Sequence, residues 1–138
     1  MFCMKKIIVV ALFFICFFGL AGFAYAGTIS STDKYAWGNY AGWLNFGATY
    51  GDVQVIDSKL SGYVWSDNFG WINLSPTQSG VVNNGQGIFS GYAWGENAGW
   101  LDFSGVSVGC DGQFTGAAIF LNANLGRVSF DCLPLQPL

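Results

Sequence analysis

Six tryptophans, Trp37, Trp43, Trp65, Trp71, Trp94 and Trp100, recur in pairs along this chain. Indole rings that reach a surface stack on the faces of sugars or cage quaternary ammonium groups. The second ring of each pair, Trp43, Trp71 or Trp100, stands two residues before a polar side chain, Asn45, Asn73 or Asp102. Residues two apart share one face of a strand. Trp43, Trp71, Trp100, Asn45, Asn73 and Asp102 are therefore the candidate ligand-binding residues. The competing role is packing. Aromatic rings at repeat spacing serve a core more often than a ligand, and packing is the preferred reading.

Other chemistry is thinly represented. The sequence holds no histidine, which removes the commonest general base and the commonest transition-metal ligand. Neither a Gly-x-Ser-x-Gly elbow nor a phosphate-binding glycine loop is present. Two carboxylates could cleave a glycoside, but Asp67 and Glu96 hold matching repeat positions where turn duty explains them. No catalytic residue and no enzymatic activity are expected. Acid and amide oxygens at Asp57, Asp67, Asn84 and Asp111 suit calcium. The dense aspartate loops of calcium-binding repeats are missing, so neither a metal nor a cofactor is expected.

The rings belong to a repeated phrase. Tyr35, Tyr63 and Tyr92 fall 28 and 29 residues apart, and both tryptophans of each pair keep that spacing, as do Gly42, Gly70 and Gly99. The common form is Tyr-x-Trp-(Gly/Ser)-x-x-x-Gly-Trp-(Leu/Ile)-(Asn/Asp)-(Phe/Leu). Apolar spacing of two and frequent glycine indicate strands, not helix. Each phrase reads as a hairpin whose turn, such as Ser66–Gly70, is rich in residues that bond to nearby backbone or tolerate positive φ.

A further strand precedes most hairpins: residues 53–56, 80–82 and 106–108. Asn84-Gly85 and Asp111-Gly112 read as two-residue hairpin turns. Residues 112–130 align as a degenerate fourth copy that lacks the tyrosine and both tryptophans, with Arg127 in place of one of them.

A three-stranded unit this small cannot bury its apolar face alone, but copies can bury one another. The expected fold is all-β: three-stranded units of about 28 residues stacked as a short solenoid-like array, the fourth copy serving as a polar cap. A β-sandwich or rolled sheet is the alternative.

The ends are different in kind. Lys5 and Lys6 precede an apolar run over 7–23 and a small-x-small close at Ala24–Ala26. This is the pattern of a secretory signal peptide cut before Gly27, and it predicts export to the periplasm, the cell surface or the medium. Cys16 follows Phe-Phe-Ile, which argues against a lipidated cysteine. Residues 27–132 form one β-repeat domain, with units at about 28–48, 53–76, 80–105 and 106–132, and residues 133–138 form a tail. Past the cleavage point, Lys34, Lys59 and Arg127 stand against eight carboxylates, a net charge of −5. That leaves no footprint for nucleic acid and no basic patch for anionic lipid. Cys110 and Cys132 would remain as an even pair in an exported chain and read as a disulfide, worth about 3 kcal/mol in the chain-entropy picture.

The phrase "YAWGENAGWLDFSG" resembles a repeat of exported, largely uncharacterised bacterial proteins, in which Phe-Ser-Gly-Tyr-Ala-Trp-Ser-x-Asn-x-Gly-Trp-Ile-x-Phe units recur. The resemblance covers 34–47, 53–76, 80–105 and, weakly, 106–132, and it implies location more than activity. The pattern is also similar to cell-wall choline-binding repeats in pairing Gly-Trp with further aromatics, at a different spacing. The reading is a non-enzymatic envelope or surface protein, a structural or adhesive β-repeat module. The alternative is a carbohydrate-binding module that uses exposed Trp columns. The expected partners are surface polysaccharide or other envelope proteins, with self-association through sheet edges open.

Overall fold

A computed structural model of the chain describes Val9–Val10 and residues 27–131. Apart from Val9–Val10, the expected signal peptide lies outside the described residues, as do Cys132 and the tail. Strand β1 (Val9–Val10) pairs antiparallel with β2 (Gly27–Ile29). The first Tyr-x-Trp phrase forms the hairpin β3 (Tyr35–Gly38) and β4 (Gly42–Asn45). In the second unit a small hairpin of β5 (Gln54–Val55) and β6 (Leu60–Ser61), tied to β2, leads into β7 (Tyr63–Ser66) and β8 (Gly70–Asn73). In the third, β9 (Gly80–Asn83) pairs with the first half of β10 (Phe89–Gly95), whose second half pairs with β11 (Gly99–Asp102). In the fourth, β12 (Val106–Val108) pairs with the start of β13 (Phe114–Phe120), and β14 (Arg127–Ser129) follows a 3-10 turn at Ala123–Leu125.

The four main hairpins join edge to edge and then close. Asn45 lies opposite Trp65, Asn73 opposite Trp94, Asp102 opposite Ile119, and Ser129 opposite Trp37. That last pairing returns the fourth unit to the first and completes an eight-stranded antiparallel barrel. The solenoid expectation is thereby corrected. In a solenoid the end units never meet, whereas here the degenerate fourth unit is a wall strand pair and not a cap. The physical cause is the register. Each seam is offset by two residues relative to the hairpins beside it, so four seams accumulate the stagger that lets eight tilted strands close. Closure also removes the open edges that self-association would use within this ring.

The interior explains which face turned inward. Ala36 opposes Leu44, Val64 opposes Ile72, Ala93 opposes Leu101, and Ala118 opposes Val128, and all eight are buried. A small residue facing a larger one fits the narrow bore of an eight-stranded barrel. Below this layer the equivalent residues Phe46, Leu74, Phe103 and Phe130 form a second buried ring. Each donates its backbone N–H to the residue before the unit's tyrosine position: Lys34, Gly62, Gly91 and Gly116, at 2.8–3.0 Å. Phe114 stacks between Phe89 and Phe130, with centroids at 5.4 and 5.8 Å, and Phe46 meets both Phe114 and Phe130.

Gly91 and Gly116 mark where a long strand leaves its lower partner for the barrel wall. Both hold positive φ, +83° and +89°, and a Cβ there would lie 2.1 and 2.0 Å from the carbonyls of Gly80 and Gly105. The lower connections differ from the expected two-residue turns. Five residues separate Asn83 from Phe89 and Val108 from Phe114. Buried Asn83 organises the first of these: its Oδ1 accepts from the N–H groups of Gly85 and Gly87, and its Nδ2 donates to the carbonyl of Ile56 at 2.9 Å. Cys110, in the second loop, is disulfide-bonded; its expected partner Cys132 lies outside the described residues.

Candidate functional site

With small and medium side chains inside, every Tyr-x-Trp phrase turns its rings outward. Tyr63, Trp65 and Trp71 are exposed, as are Trp37, Trp94 and Tyr92, while Tyr35, Trp43 and Trp100 are half-buried. The preferred packing role for the tryptophans therefore gives way to a surface position, because phenylalanine already fills the space a core needs. Rings within a hairpin support each other nearly edge to face. Trp37–Trp43, Trp65–Trp71 and Trp94–Trp100 have centroids at 4.9, 5.1 and 4.7 Å. Tyr35, Tyr63 and Tyr92 add a third ring at 6.2–6.3 Å. Such pairs are worth about 0.5–1.5 kcal/mol each beyond burial. The three triads follow one another around the barrel, interrupted over the fourth unit by Ala117, Ile119, Arg127 and Ser129.

The polar candidates have a local duty. Asn45 Oδ1 accepts from Gly47 N–H at 3.0 Å and Asn73 Oδ1 from Ser75 N–H at 2.9 Å. Asp102 Oδ1 accepts from both the N–H and the hydroxyl of Ser104, at 2.8 and 2.6 Å. Each closes a side-chain turn at the exit of its strand. Trp71 and Asn73 come together with rings of the next unit. Trp43 with Asn45, and Trp100 with Asp102, lie on other parts of the circumference.

Between the second and third units the wall opens into a groove of about 770 Å³. Trp65, Trp71 and Trp94 line it with Tyr63, Asn73 and Glu96. Asn97, Phe69 and Tyr50 complete the rim. Tyr50 is 87% exposed and holds positive φ, +70°, a conformation uncommon for a tyrosine. Trp65, Trp94, Tyr63, Tyr50 and Glu96 are not among the ligand-binding candidates read from the sequence. The first-strand tryptophans could have been found, since they share the period and lie two residues from the tyrosine. Tyr50 has no counterpart in the repeat and carries no such signal.

The hairpin turns hold the seams in register. Asn68 Nδ2 donates to the carbonyl of Tyr40 at 2.7 Å, and Asn97 Nδ2 to that of Phe69 at 3.0 Å. Both bonds span 28 residues, so each asparagine reaches back one unit and not into its own turn. Buried Ser66 donates to the carbonyl of Ala41 at 2.8 Å across the same first seam. Asp67 and Glu96, the residues before these asparagines, are exposed, and their carboxylates have no partner among the described residues.

The groove has the breadth and the mixed lining of a ligand site. Among the described residues, no group of three or more His, Cys, Asp or Glu side chains could hold a metal ion, and no helix is long and apolar enough to cross a membrane. Wall strands of three to seven residues are shorter than the roughly 9–11 a bilayer-spanning strand needs.

Fold and site together define a closed barrel of four hairpins that carries an aromatic band on its outer wall. Comparisons with protein-family models, curated proteins and solved structures return no match.

Proposed function

We propose that this chain is a non-enzymatic adhesive module of an exported protein, and that its outer aromatic band binds carbohydrate. One observation carries the reading: all six tryptophans stand on the outer wall, while the interior closes on Phe, Leu, Ile, Val and Ala without them. Contiguous exposed apolar surface of this kind marks an interaction site. Flat rings on a rigid wall suit the apolar faces of sugars, and amides such as Asn73 supply hydrogen bonds beside them. The signal-like first 26 residues and the expected pairing of Cys110 with Cys132 fit an oxidising, extracytoplasmic setting.

The test is retention on a panel of insoluble polysaccharides, paired with tryptophan emission during titration with soluble glycans. Retention on at least one polysaccharide, with an emission shift lost in Trp71→Ala, supports the proposal. Absence of retention and unmoved emission across the panel overturns it.

A further inference from the structure

The residues that line the groove between the second and third units have counterparts one unit earlier. Trp65, Trp71, Asn73 and Trp94 correspond to Trp37, Trp43, Asn45 and Trp65, and the pairings Asn73–Trp94 and Asn45–Trp65 are equivalent. The acids correspond too: Glu96 stands at one seam where Asp67 stands at the other. Each of the two remaining seams lacks at least one of these rings and the acid of that turn position. Where Trp94 and Glu96 stand in the third unit, the fourth has Ile119 and Leu121. Where Asp67 and Glu96 stand in their units, the first has Asn39. At that turn position a carboxylate accompanies the two complete aromatic seams and is absent from the two incomplete ones, while the strand-exit acid Asp102 stands opposite Ile119 at the third seam.

At the first of these seams the chain supplies a cation of its own. The Lys34 ammonium sits 5.7 Å from the centroid of the Tyr35 ring. Tyr63, the equivalent ring in the second unit, follows Gly62 and is exposed, and no cation lines its groove. The geometry points to a positively charged occupant for that open groove. Resting on the glycan reading above, we infer that it binds a chain of amino sugars. A sugar ring stacks on the tryptophans, and its ammonium group lies against Glu96 and the exposed rings. A carboxylate at the rim and a net negative chain disfavour acidic glycans. By the same reading the seam beside Lys34 is an equivalent site whose tyrosine ring already meets the protein's own cation.

The experiment titrates the full chain with three soluble probes: glucosamine oligomers, N-acetylglucosamine oligomers and oligogalacturonate. Calorimetry and tryptophan emission are read at low and high salt. The expected order is amino sugar first, N-acetyl second, acidic last, with the amino-sugar advantage shrinking as salt screens it. Glu96→Gln should reduce that advantage by about threefold, as an exposed ion pair would. Lys34→Ala should raise the number of amino-sugar oligomers bound per chain. Equal affinity for amino and N-acetyl oligomers, or an unchanged advantage in Glu96→Gln, overturns the charge assignment while leaving carbohydrate binding in place. Unchanged stoichiometry in Lys34→Ala overturns the equivalence of the two seams. Failure of all three probes to bind a folded chain overturns both this inference and the proposal beneath it.

Discussion

The inner and outer faces of the barrel obey different rules. Inside, the four units agree. Each places a small residue opposite a larger one, and the fourth, with Ala118, Val128 and Phe130, matches the other three. Outside, the first three units present Tyr, Trp, Trp and Asn or Asp, whereas the fourth presents Ala117, Ile119, Arg127 and Ser129. The fourth unit nonetheless pairs with both neighbours and closes the ring. It is an internal control: a hairpin of this barrel folds into place without the rings. Inner residues specify the barrel, and the outer rings are left for another purpose.

The comparison is tested hardest from the inside. Phe114 is fully buried against Phe46, Phe89 and Phe130. Phe114→Ala should cost about 3–5 kcal/mol, the range for deleting a large aromatic from a core, read as a lowered midpoint in urea denaturation. A loss under about 1 kcal/mol would mean that the lower Phe ring does not hold the barrel. Gly91→Ala comes next. Its φ of +83° and the Gly80 carbonyl at 2.1 Å from the new Cβ require the backbone to shift, so the expected loss is about 2–3 kcal/mol by the same measurement. Full stability in that variant would show that β9 need not lie so close to β10.

The seams rank third. Asn68→Ala and Asn97→Ala each remove one bond to the preceding unit, worth about 1 kcal/mol apiece. They lie at different seams, so the double variant should show nearly the sum. Marked non-additivity would indicate that the seams open as one cooperative element.

These features differ in how far they could be read from the chain. Alternation separates Tyr63 and Trp65 from Val64, and so reveals two faces, but it does not say which is inner. The largest apolar residues drew the core assignment, because Ala36, Ala93 and Ala118 are weak signals by themselves. Only closure, which narrows the interior, makes alanine the right size and tryptophan the wrong one. Closure rests on the pairing of β14 with β3, nearly the whole domain apart, and no local pattern encodes it. The hairpins, by contrast, were fully local: turn-exit glycines, period-two spacing and the unit length all stand in the sequence. The strand-exit duty of Asn73 and Asp102 was not read from the sequence, where both stand as ligand candidates, although each precedes by two residues a serine whose N–H it accepts. The duty of Asn68 and Asn97 was not legible, because their partners lie a full unit away.

The smallest stability effect is expected where the side chains are largest. Giving the third unit the fourth unit's outer residues, with Trp94→Ile and Trp100→Arg, deletes two indoles and their 4.7 Å contact. It leaves Ala93, Leu101 and Phe103 in the interior. The lost ring contact is worth about 0.5–1.5 kcal/mol, and the β-branched isoleucine recovers part of it on a strand. The net change should be under about 1 kcal/mol, with far-ultraviolet circular dichroism unchanged. Trp94 also lines the groove, so retention on polysaccharide should fall sharply in the same variant. Stability that collapses along with retention would place the outer rings in the folding of the barrel. Stability that holds while retention is lost would separate the two faces by function as the fourth unit already separates them by sequence.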